Sequence, residues 1–246
     1  EERFRREHEC EFLIFDETLI SSLTLADMEG VSPVEVTGQV RWFKRPTPGH
    51  TYMVSLDPSM GTGGDFAAIQ IFELPTFEQV GEWQHNMTPM NQQVRILQQI
   101  NKHIHDTIIE KDASATPQIF YSMENNTIGE AALMRVMDIG EENIMGMFLS
   151  EPIRKGHRRK FRRGFNTTAK FKIDACTKFK ELVESGKMKL NSQLLISELK
   201  DFVATGLSYK AKPGQHDDLV SACLLMTRMM KVLADFDPKI FEKWTD

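Results

Sequence analysis

The chain has 246 residues, of which 41% are hydrophobic and 26% are charged, and its formal net charge is -5. These values are typical of an ordinary globular protein with one large domain, or with one domain and an ordered extension. Its three cysteines lie far apart without a CxxC pair, it has no apolar run long enough to span a membrane, and it lacks a GxxxxGK[ST] motif, which argues against disulfide-linked, zinc-bound, membrane-spanning and P-loop ATPase classes.

The first part of the chain, residues 1–48, is predicted to be a connector that leads into the main domain. Residues 1–9 are highly charged and are predicted to start as a helix, and another short helix is predicted to begin at Ser22. The prolines and glycines of residues 30–50 favour an extended segment with one or two strands. Because the chain does not begin with Met, we expect it to be a fragment of a longer protein.

The main domain is predicted to cover residues 49–235, and a tail is predicted at residues 236–246. Its strands are predicted at residues 51–57, 66–74, 79–84, 118–124, 144–149 and 188–190. Its helices are predicted at residues 90–110, 128–138, 169–185 and 192–203, and from His216 onward, with residues 209–215 as a loop. Thr127 is predicted to cap the helix at residues 128–138, with Glu130 completing a capping box.

The order of these elements indicates the fold. Three strands with short turns form an antiparallel meander, and helix, strand, helix, strand and further helices follow. This is the order expected of the RNase H-like α/β fold of the resolvase or integrase type. It predicts a central mixed sheet of five or more strands flanked by helices.

A glycine-rich turn directly follows the first strand of this domain. The strand ends at Asp57, the turn covers residues 58–64, and Asp65 precedes the next strand. A carboxylate at a strand end has a fixed backbone behind it and solvent in front of it, which suits a metal ligand. An Asp-Pro turn in which Asp65 merely favours the turn explains the same stretch equally well.

Two further acidic positions lie at the ends of elements. Glu124 ends the fourth strand, and Asp217 and Asp218 open the final helix. In an RNase H-like fold the first and fourth strands are parallel neighbours and the final helix packs across their edge, so these carboxylates would converge with Asp57. Such convergence suits phosphodiester cleavage with two divalent ions about 3.5–4 Å apart, because Mg²⁺ and Mn²⁺ prefer carboxylate oxygens. Taken singly, a surface acid and a helix cap explain them too.

Two histidines are candidates for accessory roles beside the carboxylates. His85 closes the third strand, which is expected to lie beside the first, and it could orient water or a ligand. His216 immediately precedes the aspartate pair. Asp65 is a third accessory candidate. Each is equally explained as an ordinary turn or surface residue.

A concentrated basic run lies after the fifth strand. Its cationic residues are Arg154, Lys155, Arg158, Arg159, Lys160, Arg162 and Arg163. No acidic residue occurs from residue 152 to residue 173. In an acidic chain such a run indicates contacts with DNA phosphates, which give affinity without sequence choice. A solvated loop is the alternative.

Several stretches together resemble the large terminase subunit of tailed bacteriophages, of the T-even-like type. They are FRREHECEF at residues 4–12, TLIS at 18–21, LDPSMGTGGD at 56–65, MENNTIG at 123–129, GFNTT at 164–168, ELKDF at 198–202 and GQHDDLV at 214–220. They follow the family's order over nearly the whole chain. The resemblance implies a C-terminal nuclease domain of RNase H/resolvase type that cuts concatemeric phage DNA before and after packaging.

The resemblance also implies site residues and partners. The metal triad for Mg²⁺ or Mn²⁺ would be Asp57, Glu124 and one of Asp217 and Asp218, with Asp218 preferred. The accessory residues would be Asp65 and His85, and His216 stays an accessory candidate from its place before the aspartate pair. The implied partners are double-stranded DNA, an N-terminal packaging ATPase domain of the same full-length chain, the phage portal and the small terminase subunit. The implied location is the host cytoplasm, with transient docking on the procapsid portal and no membrane.

Three other functions are compatible with parts of the sequence. An actin- or Hsp70-like ATPase has a similar first phosphate loop, but it needs two RNase H-like halves, and only one is indicated. A transposase or junction resolvase would share the metal chemistry and differ in its DNA substrate. A non-catalytic motor or capsid-docking module would keep the acids as relics.

Overall fold

The middle of the molecule is a sheet whose central strands are buried on both faces. In the computed structural model, which describes residues 18–152 and 163–236, strand β3 (Thr51–Asp57) is buried up to its last residue and strand β4 (Ala67–Leu74) throughout. Strands of this kind need a layer of helices on each side. The remaining strands are β1 (Glu35–Thr37), β2 (Val40–Trp42), β5 (Glu78–His85), β6 (Gln118–Met123), β7 (Met147–Phe148), β8 (Phe202–Thr205) and β9 (Ser208–Ala211).

Seven strands form the main sheet, in the order β1-β2-β5-β4-β3-β6-β7. In this order, the four neighbouring pairs that lie between β1 and β3 are antiparallel. The pairs β3–β6 and β6–β7 are parallel. The helices are α1 (Ser22–Asp27), α2 (Met90–Lys111), α3 (Thr127–Ile139), α4 (Ala169–Glu184), α5 (Gln193–Asp201) and α6 (Asp218–Phe236). The predicted mixed RNase H-like sheet, its meander and its parallel neighbours are confirmed.

The two faces of the sheet carry separate cores, and the side-chain alternation of β3 shows how. Tyr52, Val54 and Leu56 pack with α2 and α3 on one face. Met53 packs with α4, α5 and α6 on the other face, where the Ser55 hydroxyl donates a hydrogen bond to the Ala222 carbonyl of α6 at 2.8 Å. Because alternate residues of a strand share a face, Asp57 lies on the same face of β3 as Ser55, the face that is covered by α6.

The end of the domain differs from its prediction. Helix α5 stops at Asp201 rather than at residue 203. A two-stranded hairpin of β8 and β9 follows, and β9 takes residues 209–211 of the loop predicted at residues 209–215. Gly206 has a φ of 60°, in the left-handed region, and it occupies the first position of the two-residue turn between β8 and β9. Gly followed by another residue is a known hairpin signal.

Three smaller predictions also need correction. The fifth strand shortens to β7, and the strand predicted at residues 188–190 is a single bridge between Lys189 and Glu78. The third predicted strand, β5, pairs with β4 and not with β3, so His85 lies one strand further from Asp57 than expected. Helix α6 begins at Asp218, after His216.

Part of the predicted connector joins the sheet. Strand β2 pairs with β5, and β1 pairs with β2. Helix α1 forms where a short helix was predicted, with Ser21 as its N-cap. The helix predicted at residues 1–9 lies outside the described residues. None of the helices within residues 18–152 and 163–236 combines the length and apolarity needed to cross a bilayer.

Candidate active site

Asp57 and Glu124 lie side by side at the ends of two parallel strands. Leu56 of β3 is opposite Met123 of β6, and the Glu124 backbone N–H donates a hydrogen bond to the Leu56 carbonyl at 3.1 Å. Asp57 shares its face of β3 with Ser55, whose hydroxyl contacts α6. Both carboxylates therefore face a cleft between the strand ends and α6, as the predicted fold requires.

The electrostatics of the pair reflect this crowding. Burial raises the pKa of Asp57 well above its ordinary value, and repulsion from the Glu124 carboxylate and a hydrogen bond to it raise this pKa further. The charges of Asp218 and Asp217 act in the same direction. A carboxyl group whose pKa is raised by neighbouring negative charges is ready to bind a cation, which removes the repulsion.

The residues after Glu124 fix its position. The Asn126 side-chain amide donates a hydrogen bond to the Glu124 carboxylate at 3.0 Å, and its oxygen accepts from the Gly129 N–H at 2.8 Å. Asn126 is thus the N-cap of α3, and the prediction of a Thr127 cap is wrong. A Cβ at Gly129 would lie 1.8 Å from the Glu124 carbonyl oxygen, so only glycine allows α3 to begin this close to the acid.

Asp218 occupies the first position of α6. Its carboxylate accepts a hydrogen bond from the Phe66 backbone N–H and lies 3.6 Å from the His216 ring nitrogen Nδ1. Burial raises the pKa of Asp218 to about 6, and the charges of Asp217 and Asp65 add to this shift. Its side chain is only 13% exposed, which is consistent with burial as the main cause of the shift.

The neighbouring Asp217 makes different contacts from those of Asp218. Its carboxylate accepts a hydrogen bond from the Ala211 N–H of β9 at 3.2 Å, and its carbonyl accepts from the Ser221 N–H in the first turn of α6 at 2.8 Å. Asp217 therefore links the β8–β9 hairpin to the start of α6. It also contributes to the raised pKa of Asp57, so it lies within electrostatic reach of the site.

The accessory candidates separate into two groups. Asp65 and His216 are exposed and act on Asp218, the first by its charge and the second through the 3.6 Å contact. His216 also packs edge-on against the Phe66 ring, with 4.8 Å between the centroids. His85 instead hydrogen-bonds Thr88 at 2.7 Å, and β4 separates its strand from β3.

The cleft beside the strand ends has a volume of about 160 Å³ in which water-sized molecules fit. That is several times the roughly 10–15 Å³ that a single water needs by the same measure. Its lining combines two acids with two basic side chains and a set of small and apolar residues: Asp57, Glu124, Thr167, Lys172, Ala175, Ser221, Leu224, Leu225 and Arg228. The cleft is therefore large enough for hydrated ions and a phosphate group.

Arg228 of α6 joins the two chain segments that flank the basic run. It forms an ion pair with Glu151 and donates hydrogen bonds to the Asn166 carbonyl and the Thr167 hydroxyl, each at 3.0 Å. Its guanidinium also lies over the rings of Phe165 and Phe171, 5.2 and 5.1 Å from their centroids. These contacts hold both segments at the edge of the cleft.

A second set of hydrogen bonds ties the same segments to the strand that bears Glu124. The Phe165 N–H donates to the Met123 carbonyl at 3.2 Å, and the Asn125 N–H donates to the Phe165 carbonyl at 2.7 Å. The Glu151 N–H donates to the Gly164 carbonyl at 3.2 Å. Residues 151, 164 and 165 therefore lie beside the end of β6 that bears Glu124.

Of the basic residues predicted to bind DNA, the structure describes one. Arg163 forms an ion pair with Glu141. The other six, Arg154, Lys155, Arg158, Arg159, Lys160 and Arg162, lie outside the described residues.

Sequence reasoning missed several residues that build the site. Lys172 and Arg228 line the cleft, and Glu198 supports α6 by accepting the Val220 N–H at 3.1 Å and a Gln84 amide hydrogen at 2.9 Å. Burial raises the pKa of Glu198 to about 8. Signals existed for two of them. Glu198 begins the ELKDF stretch at residues 198–202 that carries the resemblance, and Arg228 is a lone charge in the apolar stretch at residues 222–230.

The donor set of the site fits a hard divalent cation. Its candidate ligands are carboxylates rather than thiolates. Burial, followed by the charges of the neighbouring acids, raises the pKa of Asp57. Within residues 18–152 and 163–236, no three His, Cys, Asp or Glu side chains already form a ready-made metal cage. Asp218 contributes to the raised pKa of Asp57, but it is not one of the residues that line the cleft. Its carboxylate accepts a hydrogen bond from the Phe66 N–H, so joining Asp57 and Glu124 around one ion would require its side chain to turn.

Several solved structures that share this fold are terminase nucleases. The large terminase nuclease from thermophilic phage G20c with bound magnesium is 18% identical, has a TM-score of 0.61, and the match covers 85% of this chain and 96% of that chain. The Thermus phage P74-26 large terminase nuclease domain is 18% identical with a TM-score of 0.57, and the match covers 82% of this chain and 90% of that chain. The human cytomegalovirus terminase nuclease domain, Mn soaked and inhibitor bound, is 13% identical with a TM-score of 0.51, and the match covers 85% of this chain and 94% of that chain.

At such identities the structural matches show a shared fold. A family model adds the relationship by sequence, because the model of the terminase RNase H-like domain matches residues 54–229. The match includes Asp57, Glu124 and Asp218 and covers well over half of the chain. The chain therefore belongs to the terminase RNase H-like domain family.

Proposed function

We propose that this chain is the nuclease part of a phage large terminase. It is a metal-dependent endonuclease that cuts concatemeric viral duplex DNA when genome packaging begins and ends, with little sequence specificity. The observation that carries this proposal is the pair of Asp57 and Glu124, hydrogen-bonded at adjacent strand ends in a cleft beside α6. Assignment to the T-even-like type remains a prediction from the resemblance.

The proposed metal ligands are Asp57, Glu124 and Asp218, with Asp217 as the alternative to Asp218. Structures of terminase nucleases obtained with bound magnesium or after a manganese soak support this choice of cation. When bound, two such ions supply an activated water and stabilise the leaving oxygen of the phosphodiester. Asn126 holds the Glu124 carboxylate through its 3.0 Å hydrogen bond, so this ligand needs little reorganisation to bind.

The proposed DNA contacts come from the basic run at residues 154–163. Its flanking segments are held beside Glu124 by Arg228 and by the hydrogen bonds of Phe165 and Asn125. The basic run therefore begins and ends next to segments that lie beside the proposed metal site, which supports this proposal. Contacts of this kind position the duplex without reading bases.

The proposed partners follow from the family and from the resemblance. They are double-stranded DNA, a packaging ATPase domain in the same full-length chain, the phage portal and the small terminase subunit. The proposed location is the host cytoplasm during infection, with transient docking on the procapsid portal. The family match favours this substrate over that of a transposase or junction resolvase.

Plasmid nicking tests the proposal. Supercoiled DNA is incubated with the chain and Mg²⁺ or Mn²⁺, and parallel reactions contain EDTA, Ca²⁺ or the Asp57→Asn variant. We expect nicked and linear products with Mg²⁺ or Mn²⁺ only, on plasmids of unrelated sequence. Hydrolysis of ATP without DNA cleavage would favour an actin-like ATPase, and neither activity would favour a non-catalytic docking module.

A further inference from the structure

Two basic side chains enter the cleft that contains Asp57 and Glu124, and they differ in what they contact. Arg228 reaches it from α6 and Lys172 from α4. Arg228 is 11% exposed and is occupied by Glu151, by the Asn166 carbonyl and by two aromatic rings. Its charge is committed to holding the chain segments together, so it is not available to a ligand without breaking those contacts.

Lys172 is half-buried. Within the described part of the chain, its ammonium group forms no hydrogen bond or ion pair with a carboxylate or carbonyl oxygen. The ammonium instead lies 5.5 Å from the centroid of the Phe202 ring. A cation over an aromatic face is held more loosely than one in an ion pair with a buried acid, so the ammonium can exchange this contact for an anion.

The helix fixes the direction of Lys172. Thr168 caps α4 by accepting the Phe171 N–H, and the Lys172 N–H donates to the Thr168 carbonyl at 2.9 Å, so Lys172 lies in the first turn. Ala175, three residues later, also lines the cleft. Residues three apart share a helix face, and this face of α4 therefore looks towards Asp57 and Glu124.

We propose that Lys172 binds a phosphate oxygen of the DNA backbone in the cleft, next to the bond that is cut. The anions of Asp57 and Glu124 repel a phosphate, and a cation on the facing helix offsets that repulsion where the backbone must approach them. The ligand class is a nucleic acid phosphodiester. This inference rests on the proposed nuclease function and adds a residue that touches the substrate.

Three variants test it. Lys172→Met removes the charge and keeps a long apolar stem against Phe202, and Lys172→Arg keeps the charge. Lys180→Met is the matched control, because Lys180 lies on the same helix about 12 Å further along and pairs with Glu184 at 3.6 Å. For each, the affinity for a duplex is measured against salt concentration with Ca²⁺ in place of Mg²⁺, and cleavage is measured with Mg²⁺.

In Lys172→Met we expect the slope of log affinity against log salt to fall in magnitude by about 0.9, the loss of one phosphate contact. Cleavage should fall by about 10²-fold. Lys172→Arg should keep the wild-type slope and most of the rate, which excludes a lost fold as the cause. Lys180→Met should match the wild type in both measurements.

Two results would overturn the inference, and they differ from each other. If the wild type cuts DNA and Lys172→Met matches Lys180→Met in slope and rate, Lys172 does not bind a phosphate and the nuclease function stands. If the wild type neither cuts nor binds DNA with any of these ions, the nuclease function itself is wrong and the role of Lys172 falls with it.

Discussion

The carboxyl groups of Asp57 and Glu124 are hydrogen-bonded to each other at the ends of adjacent parallel strands. Burial and the charges of Glu124, Asp218 and Asp217 raise the pKa of Asp57 well above its ordinary value. A bound divalent ion would offset these negative charges. The site is thus arranged so that metal binding removes an existing repulsion.

The first prediction concerns these two acids. Asp57→Asn and Glu124→Gln keep the side-chain shape and remove one metal-binding charge each. Each should lower the rate of DNA cleavage by at least about 10²-fold and weaken Mn²⁺ binding in a calorimetric titration. Thermal unfolding should show an intact fold, because removing a repelled charge does not weaken packing. Near-normal cleavage by either variant would place the metal site elsewhere.

The second prediction separates the adjacent aspartates. Neighbouring residues point about 100° apart around a helix, and here Asp218 accepts from Phe66 whereas Asp217 accepts from Ala211 of the hairpin. Asp218→Asn should abolish cleavage, and Asp217→Asn should reduce it less and loosen the hairpin. Cleavage rates and hydrogen exchange at Ala211 measure the two effects. Inactivation by Asp217→Asn alone would reverse the assignment.

The third prediction concerns Arg228 and the segments that it joins. Replacing it with Met leaves Glu151 without its cation and should lower the free energy of unfolding by roughly 3 kcal/mol. DNA affinity should also fall, because the segments flanking the basic run lose their attachment beside Glu124. Lys231→Met, an exposed change on the same helix, is the control and should do neither. Urea unfolding and duplex binding at fixed salt give both quantities.

Unchanged DNA affinity in a destabilised Arg228→Met variant would contradict this role. It would mean that the segments around residues 151 and 166 hold their position without Arg228. A double-mutant cycle with Glu151→Gln then gives the coupling energy directly, which we expect to be about 1–3 kcal/mol for partners in contact.

The fourth prediction is a pH dependence of stability without metal. The pKa of Asp218 is about 6 in the folded chain against 3.8 as its ordinary value. The folded state therefore binds more protons than the unfolded state between these values, so the stabilisation from Asp218 is complete below pH 3.8 and is lost as the pH rises through about 6. The loss amounts to up to about 3 kcal/mol.

The measurement is urea unfolding in EDTA from pH 4 to pH 8. The stability of the wild type relative to Asp218→Asn should decline across this range, and Mg²⁺ should restore it at the alkaline end, where the acids are charged. A difference that stays constant with pH, or that grows as pH rises, would show that Asp218 is not perturbed by its acidic neighbours.

The position of the acids could be predicted from the sequence because each acid ends or begins a regular element. Asp57 precedes a proline and glycines, and Glu124 precedes two asparagines, so the strand ends are visible in the residue types. The helical spacing of apolar residues likewise predicted α2. Those signals are local, and local signals were sufficient for the elements that meet at the site.

Other features depend on contacts between distant segments. Leu195, Leu199 and Phe202 continue one helical face, so the pattern extended α5 into a strand that pairs with residues 208–211. Nothing in the sequence places Lys172 or Arg228 opposite Asp57, because helix packing decides that. The order of β5 and β4 likewise separates His85 from β3, although consecutive strands along the chain had suggested proximity.

A crystal structure of the chain soaked with Mn²⁺ tests the central claim most directly. The account predicts anomalous peaks in the cleft within about 2.1 Å of carboxylate oxygens of Asp57, Glu124 and Asp218, with the Asp218 side chain turned from the Phe66 N–H towards the ion. Anomalous signal confined to other positions, or none in this cleft at millimolar Mn²⁺, would contradict it.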